Sequence, residues 1–148
     1  MTKEKFIPYN NQKHSAHITE LKHGFSVFDQ VKAPQLAILG AKDMDNANFS
    51  MGISYIERPF YMIDHEQKHE YEQYLFLLGG DFSRLNEFDA EIEVGLEGKM
   101  NVISYPACIR VTPGLVYGPV NFTRVTKPIV WIHIVINPTT PVPPEHHH

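Results

Sequence analysis

The sequence predicts an all-β domain, a sandwich or barrel built from short strands. Three observations carry this reading. Short apolar runs recur along the chain, separated by Gly, Pro, Asn and Asp. Two runs alternate with a period of two: Phe49, Met51, Ile53 and Tyr55 against Ser50, Gly52 and Ser54, and Ile92, Val94 and Leu96 against Glu91, Glu93, Gly95 and Glu97. Only one segment, His65 to Tyr74, has a composition that suits a helix.

The elements follow in order from their punctuation. Gln35 to Leu39 ends at Gly40, and the alternating run at Phe49–Tyr55 follows. Gln73 to Leu78 stops at Gly79-Gly80, and the Glu-rich alternating strand covers 91–97. Asn101 to Tyr105 ends at Pro106, and Cys108 to Val111 ends at Thr112-Pro113-Gly114. Phe122 to Val125 precedes Lys127-Pro128, and Ile129 to Ile136 closes the fold. Strands at this spacing make a sandwich or barrel. Residues 1–22 are polar and read as an arm, mobile or laid over the domain. The domain itself spans 23–138, and 139–148 is a tail whose terminal histidines look like part of a purification tag. Those histidines are set aside from site reasoning.

The chain has 148 residues, 43% apolar and 20% charged, enough for one domain with a real core. A net charge of −4, with scattered Lys and Arg, argues against nucleic acid or an anionic membrane as partner. The single cysteine, Cys108, excludes an intrachain disulfide and fits a reducing cytosol. Its apolar neighbours predict a buried structural thiol. The N-terminus lacks the apolar core of a signal peptide, and no apolar run approaches the roughly 20 residues that span a bilayer. A soluble cytoplasmic protein is expected.

The densest chemistry lies in Gln67-Lys68-His69-Glu70-Tyr71-Glu72-Gln73. On a helix His65 and His69 would form a zinc-ready pair. No Gly or Pro separates this segment from the β-rich run after it, so a single shared strand is the better reading. On a strand His65 and His69 lie about 13 Å apart, too far for one ion. Residues 67, 69, 71 and 73 then share one face, with β-carbons roughly 7 Å apart from one to the next. Downstream, Thr112-Pro113-Gly114 turns the chain toward Tyr117 and Asn121.

This pair of segments resembles the two motifs of the cupin superfamily, over about residues 45–136. The first motif, a His-x-His pair followed by an acid and a glycine, falls on Gln67, His69, Gln73 and Gly80. The second, a Pro/Gly turn followed by His and often Asn, falls on Pro113, Gly114, Tyr117 and Asn121. The resemblance implies a jelly-roll (double-stranded β-helix) barrel with a pocket lined by Gln67, His69, Tyr71, Gln73 and Tyr117. It also implies a divalent metal (Mn, Fe, Ni or Zn) on His69, with Gln67, Gln73, Tyr117 or His65 as co-ligands. The chain departs from the family's three histidines and a carboxylate, keeping only His69 at the matching positions. Carboxamides are weak ligands, and a phenol binds well only when ionised, against an ordinary pKa near 10. The donor set therefore favours no cofactor.

The remaining groups read more plainly. Glu70 and Glu72 are expected on the solvent face, as are Glu91, Glu93 and Glu97. His65 belongs at the rim. His133 is read as packed or at an edge, with an interior-facing role as the alternative. Arg110 suits a surface salt bridge before an anion site. Tyr55, Tyr71, Phe76 and Trp131 suit a pocket lining or a core. The leading expectation is a small-molecule-binding barrel with a reduced or absent metal site. A metal-dependent oxygenase, isomerase or decarboxylase is the alternative. Metal-free acid/base catalysis by His69 and Tyr117 comes next. A homodimer burying the arm or an edge strand is expected.

Overall fold

The computed structural model describes residues 11–24, 31 and 35–136. The expected arm as far as residue 10 and the expected tail, 139–148, lie outside the described residues. The described chain runs through β1 (Gln12–Lys13), β2 (Thr19–Glu20), β3 (His23–Gly24), β4 (Gln35–Leu39) and a one-turn helix α1 (Gly40–Asp43). There follow β5 (Phe49–Ile56), β6 (Phe60–Ile63), β7 (Glu72–Gly79), β8 (Ala90–Leu96) and β9 (Lys99–Ile103). The last three are β10 (Ala107–Val111), β11 (Tyr117–Val125) and β12 (Ile129–Ile136). Strand β6 was not expected: four apolar residues after Pro59 give neither alternation nor enough length to declare themselves.

The strands form a six-stranded sheet in the order β10-β7-β12-β5-β4-β3 and a four-stranded sheet in the order β6-β11-β8-β9. The short strands β1 and β2 pair with each other. The pairings of both large sheets are antiparallel, and β12 sits between β5 and β7 over its whole length. Two antiparallel sheets with sequence-distant strands as neighbours make the expected jelly roll. The β8–β9 hairpin shows how local sequence sets register. Glu97 and Gly98 both take positive φ, 51° and 77°, the two-residue turn whose twist matches its strands. Leu96 thereby pairs with Lys99.

The inward faces of the sheets meet in an apolar core. Leu75, Leu77, Ile92, Val94, Phe122 and Ile129 are completely buried. Each such side chain contributes about 1.5–3 kcal/mol relative to exposure. Phe122 centres the core, stacked on Phe60 at 5.3 Å and meeting the edge of Trp131 at 5.6 Å. Outside the core, residues 11–22 are fastened to the sheet edge. Asn11 Nδ2 donates to the Ala37 carbonyl at 2.7 Å and to Asp43 Oδ2 at 3.0 Å, and Thr19 Oγ1 donates to the Asp43 carbonyl at 2.7 Å.

Strand direction corrects three expectations. Cys108 is exposed, because its neighbours Ile109 and Val111 take the inward positions of β10 and alternation turns the thiol out. Tyr55 and Phe76 face away from the barrel for the same reason, since Ser54 and Ile56 on β5, and Leu75 and Leu77 on β7, point inward. Strand β5 is thus inverted relative to its hydrophobicity. Ser50, Gly52 and Ser54 are buried inside, while Phe49, Met51, Ile53 and Tyr55 lie half-buried on the outer face. Together with Leu36, Leu78, Val130, Ile132 and Phe82, some of these line an apolar outer groove of about 440 Å³.

Candidate functional site

The segment between β6 and β7 carries the chain from one sheet to the other, and backbone bonds fix its path. It is neither the helix nor the continuous strand that its composition allowed. Gln67 makes an isolated antiparallel bridge to Tyr117, with N–H···O distances of 2.7 and 2.9 Å. The His69 carbonyl accepts from Gly114 N at 2.8 Å, so the predicted Pro/Gly turn holds this segment directly. Residues 68–71 have no strand geometry, and β7 starts at Glu72. Gly118 is the other fixed point. Its φ is 101°, and a Cβ there would lie 2.2 Å from the His65 carbonyl oxygen, so only glycine fits the crossing.

These constraints bring five predicted residues and His133 together. Tyr117 Oη donates to Gln67 Oε1 at 3.2 Å, and His69 Nε2 approaches the same oxygen at 3.2 Å. An amide oxygen only accepts, so the imidazole carries its proton on Nε2. The His69 ring stacks on Tyr71 at 4.7 Å and tilts against Tyr117 at 5.8 Å. Deeper in the barrel, His133 Nε2 donates to Gln73 Oε1 at 2.6 Å, and both side chains are fully buried. At the rim, exposed His65 meets Gln67 Nε2 through its own Nε2 at 3.3 Å, while its Nδ1 bonds Asp64 at 2.8 Å.

Burial sets the electrostatics. Desolvation pushes the His133 pKa down to about 3, with the nearby His69 adding a smaller repulsion, so this imidazole is neutral. Burial raises the Tyr117 phenol well above its usual range, with Gln73 beside it acting weakly the other way. The Tyr71 phenol is pushed up to about 12 by burial. Tyr71, Tyr117 and His133 are therefore uncharged hydrogen-bonding groups at neutral pH. Three buried polar atoms on the inward face of the six-stranded sheet lack a partner among the described residues: Gln73 Nε2, Trp131 Nε1 and Ser50 Oγ. Leaving such a group unpaired costs about 1–3 kcal/mol.

Other expectations separate here. Asn121 does not join the site: its neighbours Val120 and Phe122 point inward, and its own Nδ2 donates to Glu93 Oε1 at 3.4 Å on the outer face. Glu70 is exposed, and Glu72 pairs with Arg110 and accepts from Tyr74 at 2.9 Å. Arg110 is thus a surface salt-bridge partner. Glu97 occupies the hairpin turn rather than a strand face. His133 faces the interior beside Trp131 and Val135, the alternative reading rather than an edge position. Trp131 lies inside, as a pocket lining or core residue would, but Ser50 as an inward polar group carried no sequence signal, because nothing in a local pattern says which face of a strand lies inside.

A metal centre of the implied kind asks for several strong donors. Among the described residues, no three His, Cys, Asp or Glu side chains gather closely enough to hold an ion. His69 is turned to one carboxamide and His133 to another, and the Tyr117 phenol is held protonated. Neutral amides and a phenol are poor ligands for Mn, Fe, Ni or Zn. The donors among the described residues do not fit the metal.

No family model matches the chain, and no curated protein matches it. Solved structures do. AerE from Microcystis aeruginosa is similar at 15% identity and a TM-score of 0.51, over 80% of this chain and 46% of that one. An RmlC-like cupin from Shewanella frigidimarina is similar at 12% identity and a TM-score of 0.45, over 88% and 85% of the two chains. The described strands themselves form the two antiparallel sheets of a jelly roll. A further cupin superfamily protein, from Desulfitobacterium hafniense, is similar at 7% identity and a TM-score of 0.47, over 70% of this chain and 78% of that one. At such identities the likeness speaks for the fold alone, and chemistry must be argued from this chain's own residues. No helix among the described residues is long and apolar enough to cross a membrane.

Proposed function

We propose that this jelly-roll chain binds a small molecule inside its barrel by hydrogen bonding rather than through a metal. The observation that carries the reading is the shared acceptor Gln67 Oε1, on which Tyr117 and His69 converge at 3.2 Å each. That arrangement uses glutamine where a metal site would need imidazole. It leaves Tyr71, Tyr117 and His69 as an aromatic and hydrogen-bonding wall, the usual makeup of a ligand pocket. Calorimetric titration of tail-free protein with Mn, Fe, Ni and Zn salts tests it. No stoichiometric binding is expected at micromolar concentration. A bound ion that disappears in His69→Ala would overturn the metal-free reading.

The same convergence favours a second reading, acid/base chemistry on the bound molecule. In it the Tyr117 phenol, kept protonated by burial, is the acid, and His69 is the base. With any ligand found to bind, Tyr117→Phe would then leave affinity within several-fold and abolish conversion. Equal loss of both would return Tyr117 to binding alone.

A further inference from the structure

The two sheets differ in what they turn outward. Across β6, β11, β8 and β9 the outward row is Tyr61–Asn121–Glu93–Val102, a mixture of polar and apolar groups. On the six-stranded sheet the outward rows are apolar from strand to strand. One row runs Phe76–Ile132–Ile53–Leu36 across β7, β12, β5 and β4. The next runs Tyr74–Ile134–Met51–Ile38, and a further row lies at each end, centred on Val130 and Ile136. An antiparallel sheet with one solvated face alternates apolar inside and polar outside, and β5 and β12 depart from that rule. Their outward side chains Met51, Ile53, Ile132 and Ile134 are each left half-buried.

The size of this face can be set against what association needs. With strands about 4.8 Å apart and like-facing residues about 6.8 Å apart, the face covers about 450 Å². A stable interface buries about 800 Å² per partner, roughly 56–65% of it apolar. The face supplies that apolar share. Polar groups stand at its margin as a rim would, the Glu72–Arg110 pair on one side and exposed His23 on the other.

The shape of the face narrows the partner. Its four strands are about 19 Å wide, whereas a helix with its side chains is about 10–12 Å wide and would leave nearly half of the face wet. A second sheet covers the whole width, packed about 10 Å away. Another copy of this chain offers such a sheet, and one end of the face is built to meet itself. There Phe82, 83% exposed, stands at the wall of the 440 Å³ groove lined by Leu36, Ile53, Leu78 and Val130. A projecting ring and an apolar recess on one surface are what a twofold contact uses, because each then occurs twice.

We propose that the outer face of the six-stranded sheet is a twofold interface with a second copy of this chain, centred on Ile53 and Ile132 and anchored by Phe82 of each copy. This is a face-to-face contact, different from pairing through an edge strand or through residues 1–22, and it is independent of the binding function proposed above. Strand β10 lies beyond Phe76 at the margin, so Cys108 stays open to solvent in the dimer.

Sedimentation equilibrium of the full chain tests it. EDTA is included so that the terminal histidines do not bridge chains through a metal. A species of twice the chain's mass is expected across the micromolar range. Phe82→Asp should weaken the dimer at least about a hundredfold, because an aromatic anchor is lost at two symmetric places. The exposure of Phe82 leaves the fold of that variant intact, which circular dichroism verifies. Met100→Asp makes the same kind of change on the outer side of the four-stranded sheet and should leave the dimer as tight as before. A monomer throughout the micromolar range would overturn the proposal. So would a dimer that Phe82→Asp leaves intact, which would move self-association to an edge or the arm, or one that Met100→Asp weakens as much.

Discussion

His133 offers the sharpest physical test of the barrel interior. Its ordinary pKa is 6.5, and burial, with His69 adding to it, lowers the folded value to about 3. Between those values the unfolded chain takes up a proton that the folded chain refuses. Stability is therefore complete above pH 6.5 and falls as the pH drops from there toward 3. At pH 5 the gap from the unfolded pKa is about 1.5 units, and at 1.36 kcal/mol per unit the loss is about 2 kcal/mol. For a chain of this size that lowers Tm by roughly 6 °C. His133→Gln keeps an N–H to donate to Gln73 Oε1 and cannot titrate. Urea unfolding of both proteins at pH 7, 6 and 5, followed by the fluorescence of Trp131, isolates the term, because the remaining histidines cancel in the comparison. The unaltered protein should lose about 2 kcal/mol more than the variant between pH 7 and pH 5. Parallel pH dependences would refute the claim that His133 is buried neutral.

Three further outcomes follow from particular contacts. Gly118→Ala places a Cβ against the His65 carbonyl at 2.2 Å with φ at 101°, and should cost at least about 3 kcal/mol, roughly 10 °C in Tm; an unchanged melting curve would mean that the crossing is relaxed. Tyr117→Phe removes one of two donors to Gln67 Oε1 and should cost about 1 kcal/mol by denaturant titration. A loss beyond about 3 kcal/mol would mean that the hydroxyl holds more than this bond. Exposed Cys108 should react with a disulfide reagent in the native protein within minutes, one thiol per chain. Labelling that requires denaturant would return the thiol to the core.

The two motif segments were legible because they carry their own punctuation. The Pro113-Gly114 turn, the β7 run ending in Gly79-Gly80 and the alternation of β8 are local features, and β7 and β8 formed as strands where they were read. The grouping of Gln67, His69, Tyr71, Gln73 and Tyr117 also emerged, through the register that the motifs imply. Residues 68–71 resisted, because the chain there crosses between sheets and its conformation is set by bonds to Gly114 and Tyr117, some 45–50 residues away in sequence.

By itself, then, the sequence determined the period-two strands, their order along the chain and the residue types that could meet in the barrel. Only the tertiary structure decided which face of each strand lies inside. Alternation specifies two faces but not their direction, and β5 turns its serines inward and its apolar side chains out. The same choice exposed Cys108, sent Asn121 to the outer surface and buried His133 against Gln73. The segment Gln67–Gln73 reads from its composition as a place for a metal. Folded, its carboxamides answer imidazole and phenol, because burial holds those partners uncharged.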